Sequence, residues 1–321
     1  MPHNPLLSIA VPTFNRAAVW KELLPELIDQ CRPHKIAIYI SDNASEDDTQ
    51  EVIAAAQKDY PYIYYSRNEK NLGCDMNFEK VLKTPDTKYV WFKGDDDRVI
   101  NNGIEKVLEI INIDAYDMIM TNAMSRSGML ENKLQTQVFN DAVLFFEKTF
   151  RCATFMSICV FSKKLLEQAD YRRYKEFVHA GIIYDYLAKQ KHIRVFYEQT
   201  PLTAMPPMEK TIMWFSWRHL FYVFFVVIVD LVLALPEQIP LEVKLRVLRS
   251  YNYRFIGLAS GRARNIFGLK FAIKYGRYLK YVSSVPYPIF LALSMFPPFL
   301  IRAAIPPLRF IKRKIIMSGG K

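Results

Sequence analysis

The first 125 residues change hydrophobic period again and again, and this restricts the fold more than any other feature of the chain. Residues 6–11 (LLSIAV) form a short apolar run closed by Pro12, the pattern of a buried strand. Residues 17–31 place Val19, Leu23, Leu24, Leu27 and Ile28 at helical spacing, with Pro25 inside the run. The alternation continues with a strand at 35–41 and a helix at 45–59, where Ser45 and Asp48 form a variant of the N-terminal capping pattern. It runs on through a strand at 62–68, a helix at 74–83, a strand at 88–94, a helix at 102–112 and a strand at 117–124. Strands alternating with helices of this length imply an α/β fold, a mostly parallel sheet flanked by helices.

The pattern then loosens. Residues 152–162 and 192–199 read as strands and 181–190 as a helix. Beyond residue 205 the pattern is all-helical, with helices expected at about 209–235, 241–257 and 263–282. Two domains are therefore expected: 1–205, carrying the sheet, and 206–321, a helical C-terminal region.

Charge divides along the same line. From Leu241 onward there are 16 Lys and Arg against one acid, Glu242. That surplus of +15 leaves the rest of the chain at −4, out of a total of +11. The tail interleaves its charges with Phe, Tyr, Leu and Ile, which suits an anionic membrane surface better than nucleic acid. The apolar runs at 220–235 and 287–301 are short for a spanning helix, and are interrupted by Asp230 and by Pro297 and Pro298. The four cysteines lie far apart, which disfavours a zinc site or a disulfide scaffold and fits a reducing compartment. No basic-then-apolar leader is visible at the start, so a cytoplasmic location is expected, peripheral on the inner face of the membrane.

Each early strand ends in a polar cluster: PTFNR (12–16), SDNAS (41–45), RNEKNLG (67–73) and GDDD (94–97). In an open parallel sheet such strand ends share one rim, where ligands bind. Asp95, Asp96 and Asp97 repel one another unless a divalent cation sits among them. Oxygen-only ligands suit Mg2+ or Mn2+, which leave positions open for phosphate oxygens. Asp42 can accept a hydrogen bond from a base or a sugar hydroxyl, and Phe14, Tyr39 or Tyr65 can offer a ring face to a base. The bland alternative for the triplet is an exposed acidic turn before a helix. A nucleotidyltransferase would want a glycine-rich basic loop after the first strand, and VPTFNRAAV has one Arg and no Gly.

The ordered set SIAVPTFNRA, IYISDNASEDDT, NEKNLGCDMNF and YVWFKGDDD resembles the nucleotide-sugar half of family 2 glycosyltransferases, which have the GT-A fold, a Rossmann-like sheet. The resemblance covers residues 6–125 closely and 150–205 loosely. It implies that Pro12, Thr13, Phe14 and Asn15 line the nucleotide pocket, that Asp42 and Asn43 hold the base, and that Asn71 and Gly73, with Asn77, form the turn beneath the nucleotide. It places the triplet at the Asp-x-Asp (DXD) metal motif, with Asp95 on the ribose side and Asp96 and Asp97 at a manganese or magnesium ion.

Two departures stand out. Gly94 occupies the place where many members have the first Asp. The Glu-Asp pair that often supplies the general base is also missing, and the alignment puts His179 near that position, with Asp185 and Glu176 as the other candidates. The resemblance implies an inverting, metal-dependent transfer of sugar from a nucleotide-diphosphate sugar to a glycan or lipid-linked glycan acceptor in cell-surface polysaccharide synthesis. The alternative is a catalytically impaired nucleotide-sugar-binding or membrane scaffold protein.

Overall fold

The computed structural model describes residues 2–125, 128–131, 133–205 and 216–304. It divides into two compact units, Met1–Ile212 with Leu235–Ile239, and Met213–Ala234 with Pro240–Lys321. The boundary expected near 205 falls at the edge of the undescribed residues 206–215.

The first unit is a mixed sheet flanked by helices. Its elements are β1 (Leu7–Thr13), α1 (Ala17–Cys31), β2 (Ala37–Asp42), α2 (Thr49–Asp59), β3 (Ile63–Arg67), α3 (Cys74–Lys83), β4 (Tyr89–Phe92), β5 (Arg98–Val99) and α4 (Gly103–Ile113). There follow β6 (Met118–Ser125), β7 (Gly128–Met129), β8 (Gln137–Phe139), α5 (Ala142–Ala153), β9 (Cys159–Ser162), α6 (Lys163–Gln168), α7 (Val178–Lys189) and β10 (Val195–Ala204).

The strand order is β3-β2-β1-β4-β9-β6-β10-β5, with β7 beside β6 and β8 beside β10. β3, β2, β1 and β4 run parallel, with Thr13 opposite Asp42 and Asp42 opposite Arg67, so the first three strands end level with one another. β1 alternates cleanly. Leu7, Ile9 and Val11 enter a core shared with Trp20 and Leu24 of α1 and Ile104 of α4. α3 packs on β1 and β2.

Several sequence expectations are corrected. α2 starts at Thr49, and the Ser45 hydroxyl donates to Asp42 instead of capping it. Only Cys159–Ser162 of the 152–162 run is a strand, and it pairs antiparallel with both neighbours, so the sheet reverses direction between β4 and β6. α5, which the sequence did not suggest, is capped by Asp141, whose side chain accepts from the Val143 and Leu144 amides.

In the second unit, the helix Trp217–Ala234 has 18 residues, mean hydropathy 1.9 and a π-helical segment at Val223–Val227. It is long and apolar enough to cross a membrane, yet Phe225, Ile228, Val229 and Val232 are buried. The runs expected as single helices at 241–257 and 263–282 are broken, giving helices at Leu241–Arg249, Phe255–Ala263 and Leu269–Tyr275. Tyr287–Met295 then meets Pro298–Ala304 at a bend of 110°.

Candidate active site

The loops after β1, β2, β3 and β4 close on one another at the rim. Thr13 Oγ1 donates to Asp95 Oδ2 (2.8 Å) and accepts from Trp20 Nε1 (2.9 Å). The Asn43 amide donates to the Thr13 carbonyl (2.9 Å). Asn15, at φ 54°, bridges the first two loops. Its amide donates to Ser45 Oγ (2.8 Å) and its Oδ1 accepts from the Glu46 amide (2.7 Å). A left-handed backbone suits Asn better than most side chains, because its amide bonds locally. Pro12 lies buried within β1, and Phe14 stands half-buried at the rim.

The acidic triplet separates into three environments. Arg16, nearly buried, spans Asp95 (Nε–Oδ1 3.3 Å) and Asp96 (Nη2–Oδ2 3.7 Å). Asp97 turns inward, where the Ser157 hydroxyl donates to its Oδ2 (2.5 Å). The fully buried Lys93 also lies close enough to act on Asp97, and its Nζ donates to the Gly94 carbonyl (2.8 Å). Burial lifts the Asp95 carboxyl to about 6 against the opposing pull of Arg16. Burial, and next the charge of Asp96, lifts Asp97 to about 7 against Ser157 and Lys93. Burial pushes Lys93 down, opposed chiefly by Asp97.

Arg16 against Asp95 and Asp96, and Lys93 beside Asp97, thus supply basic partners to the triplet, with Asp97 turned away from the rim where a cation was expected among all three. The same packing explains Gly94. A Cβ there would sit 2.6 Å from Asp97 Oδ2 and 3.4 Å from Ser157 Oγ, so no Asp fits while Asp97 points inward.

Asp42 is fully buried. Its Oδ1 accepts from the Ser45 amide (2.8 Å) and hydroxyl (2.6 Å), and its Oδ2 from Tyr65 (2.5 Å). Its carboxylate is therefore turned to the loop rather than open to a base. Tyr39 is likewise engaged, stacked on Tyr64 at 4.8 Å. Asn43 joins the second and third loops. Its Nδ2 donates to Asn71 Oδ1 (2.8 Å) and the Gly73 carbonyl (3.3 Å), and its Oδ1 accepts from the Leu72 amide (2.8 Å) and Asn68 (3.1 Å). Gly73 takes φ 83°, which glycine adopts without strain, and Asn77 holds Ser41 and Asn68 behind it.

The expected proton acceptors fare differently. His179 is buried, its ring within 6.3 Å of those of Phe78, Phe92 and Phe177. Burial lowers its pKa to about 4, only partly offset by the backbone of Thr154 and Ala153. Asp185 is also buried and is anchored by Tyr174 (2.8 Å), Arg173 (3.1 Å) and Lys189 (2.5 Å). These surroundings correct the expectation for both: each is buried on α7, His179 in an apolar aromatic layer and Asp185 among its own hydrogen-bond and ion-pair partners. Glu176 lies just before α7, half-buried at φ 64°, with its amide on Asp75 Oδ2 (3.0 Å) at the start of α3.

Among the described residues, no three His, Cys, Asp or Glu side chains converge as a metal cage. Mg2+ and Mn2+ commonly rest on one or two carboxylates and complete their shell with phosphate oxygens and water. Asp96, with its side chain 24% exposed, offers that donor chemistry; Asp97 does not. Sequence reasoning missed Arg16, Lys93 and Ser157, whose signal was the need of three adjacent carboxylates for counter-charge.

The chain is similar to proteins of known name. An abequosyltransferase, RfbV of Salmonella typhimurium, is 38% identical over 101 residues, 31% of this chain and 30% of that protein. The GalNAc(5)-diNAcBac-PP-undecaprenol beta-1,3-glucosyltransferase of Campylobacter jejuni is 28% identical over 167 residues, 51% of this chain and 53% of that protein. These matches span about a third to a half of the curated relatives.

Among solved structures, S. aureus TarS 1-349 in complex with UDP aligns with TM-score 0.61 at 15% identity, over 88% of this chain and 82% of that chain. The mannosyltransferase PcManGT of Pyrobaculum calidifontis, in complex with GDP-Man and Mn2+, aligns with TM-score 0.54 at 12% identity, over 91% and 84%. These two share the fold. The model of Glycosyl transferase family 2 matches residues 8–174, more than half of the chain, and with the strand order and the closed rim of loops already in place, the chain belongs to that family.

Proposed function

We propose that the protein is an inverting glycosyltransferase that moves a sugar from a nucleotide-diphosphate sugar to a hydroxyl of a glycan acceptor, in the synthesis of a cell-surface polysaccharide. The observation that carries this reading is the joining of the first-strand loop to the triplet through Thr13–Asp95 and Arg16–Asp95/Asp96. A nucleotide-binding loop and an acidic rim held in one hydrogen-bonded unit are what diphosphate recognition requires.

The first two loops supply the walls for the nucleotide, with Phe14 at the rim and Asn43 holding Asn71 and Gly73 beneath. Asp95, pinned by Thr13 and Arg16, is oriented toward the ribose. Asp96 would hold Mn2+ or Mg2+, which when bound neutralises charge building on the departing diphosphate. Arg16 fixes the carboxylates of Asp95 and Asp96 relative to one another before any ligand arrives. Glu176 takes the proton of the acceptor hydroxyl, since His179 is a weak base in an apolar layer and Asp185 is fully engaged. The likeness to an enzyme named for an undecaprenol-linked substrate, together with the basic C-terminal region, supports a lipid-linked acceptor at the inner face of the cytoplasmic membrane.

The test is a panel of UDP-, GDP- and dTDP-sugars with Mn2+ or with EDTA, read by thermal shift and by release of nucleoside diphosphate. One donor should raise the melting temperature and be turned over with the metal, and Asp96→Ala should lose turnover. Binding of a nucleotide with no turnover of any donor would favour the impaired scaffold instead.

A further inference from the structure

Helices Leu269–Tyr275 and Tyr287–Met295 pack on each other, and after the second the chain bends by 110° into Pro298–Ala304. The outside of this elbow is apolar. Met295, Phe296, Phe299 and Leu300 are each between 49% and 68% exposed, four large side chains within six residues. Single exposed apolar residues are ordinary, but a contiguous set marks a contact surface.

The elbow is firmly held. Arg262, itself buried, donates Nε to the Phe296 carbonyl (3.1 Å) and Nη1 to the Phe267 carbonyl (3.1 Å). Arg302, on the outgoing arm, donates to the Ala263 carbonyl (3.0 Å). Behind the bend Phe290 stacks on Phe225 and lies 5.0 Å from Phe267. Proline at 297 and 298 fixes the turn.

The exposed charges of this helical segment are basic, with Asp230 beside Arg277 as an acidic neighbour. Arg264, Lys270, Lys274, Arg277, Lys280 and Arg302 are exposed, and no Asp or Glu follows Glu242 in the sequence. A rigid apolar tip in a segment with a large excess of exposed Lys and Arg is complementary to the interface of an anionic bilayer, where apolar groups enter the acyl boundary and cations meet headgroups. The long apolar helix Trp217–Ala234 is not that contact. Its Phe225, Ile228, Val229 and Val232 are buried, and its Asp230 accepts a hydrogen bond from Tyr278 (3.1 Å).

We propose that the elbow at residues 295–300 is a membrane wedge that seats the protein on an anionic bilayer without crossing it. This deepens the membrane placement in the function proposed above and rests on it.

The experiment uses the full chain with vesicles of phosphatidylcholine alone or mixed with phosphatidylglycerol. Phe299→Trp is read as the difference in tryptophan emission from the parent protein, and partition is measured by flotation. On mixed vesicles the added tryptophan should shift to the blue and be quenched by lipids brominated along the acyl chain. Phe299→Ser with Leu300→Ser should weaken partition by about tenfold or more, while Ile113→Ser, an exposed apolar site on the first unit, should leave it unchanged.

If the double variant floats as well as the parent and the added tryptophan stays in water, the wedge is refuted while charge-driven membrane binding survives. If no form binds any vesicle, the membrane placement falls with it. A tryptophan at 299 already shielded from acrylamide without vesicles would show that residues 305–321 or a second copy cover the elbow, and would also overturn the proposal.

Discussion

Asp96 and Asp97 are adjacent in the chain and opposite in surroundings, so substitution should separate them. Asp96→Asn removes a half-exposed carboxylate at the rim, and should abolish transfer while shifting the urea midpoint little. Asp97→Asn leaves Lys93 buried without its main counter-charge, which typically costs about 3 kcal/mol, and should lower the urea midpoint clearly. Equal loss of stability in both would refute the division of roles.

His179 gives a pH test. Its folded pKa of about 4 lies below the ordinary 6.5, so between these values the unfolded chain binds more protons and stability falls on acidification. Asp95 and Asp97, raised to about 6 and about 7, have the opposite slope there, because the folded state holds their protons. Comparison with His179→Leu isolates the histidine: between pH 7 and pH 5 the parent should lose about 2 kcal/mol more than the variant, by urea denaturation. The residues that bear on the rim were legible where a motif carries them, as with Thr13, Asn43 and the triplet. Lys93 and Ser157 were not, because a lysine before a glycine and a serine 63 positions away signal nothing until the sheet brings them together.

At the scale of elements, α7 depends on one small residue. A Cβ on Gly181 would lie 2.2 Å from the Tyr174 ring at its root, and that ring is tethered by its hydroxyl to Asp185. Gly181→Ala should therefore lower stability by about 2–3 kcal/mol, read in the urea midpoint. Gly73→Ala meets nothing within 4 Å, so its effect should come from the left-handed backbone alone and be smaller, about 1 kcal/mol. Sequence periodicity located β1–β4 and α1–α4 within a few residues, because these alternate between periods of two and 3.6, but it missed the two-residue β5. It failed over α5 and β9, where a capped helix, a 3-10 turn at Met156–Ile158 and a four-residue strand follow with no apolar alternation to divide them. It also joined helices in the second unit that glycine and asparagine interrupt, as at Asn252, with φ 40°, and at Gly268.

For the whole molecule, the uneven charge predicts how salt acts. The surplus of +15 beyond Leu241 should make vesicle binding fall steeply as NaCl rises from 0.05 to 0.5 M, where the Debye length drops from about 14 to about 4 Å, while nucleotide-induced thermal shifts change little. Equal salt sensitivity of both would contradict the separation of tasks. The reversal of the sheet has a consequence for anyone exchanging parts between such enzymes. Ser157, on the approach to β9, reaches the Gly94 amide and the Asp97 carboxylate at the exit of β4. A graft cut after β6 would carry the rim loops after β1 to β4 yet strand the Asp97 carboxylate without the Ser157 hydroxyl, and leave β4 with a bare edge. Transplants should therefore be joined beyond Ser162, or they will import a rim that cannot hold its own shape.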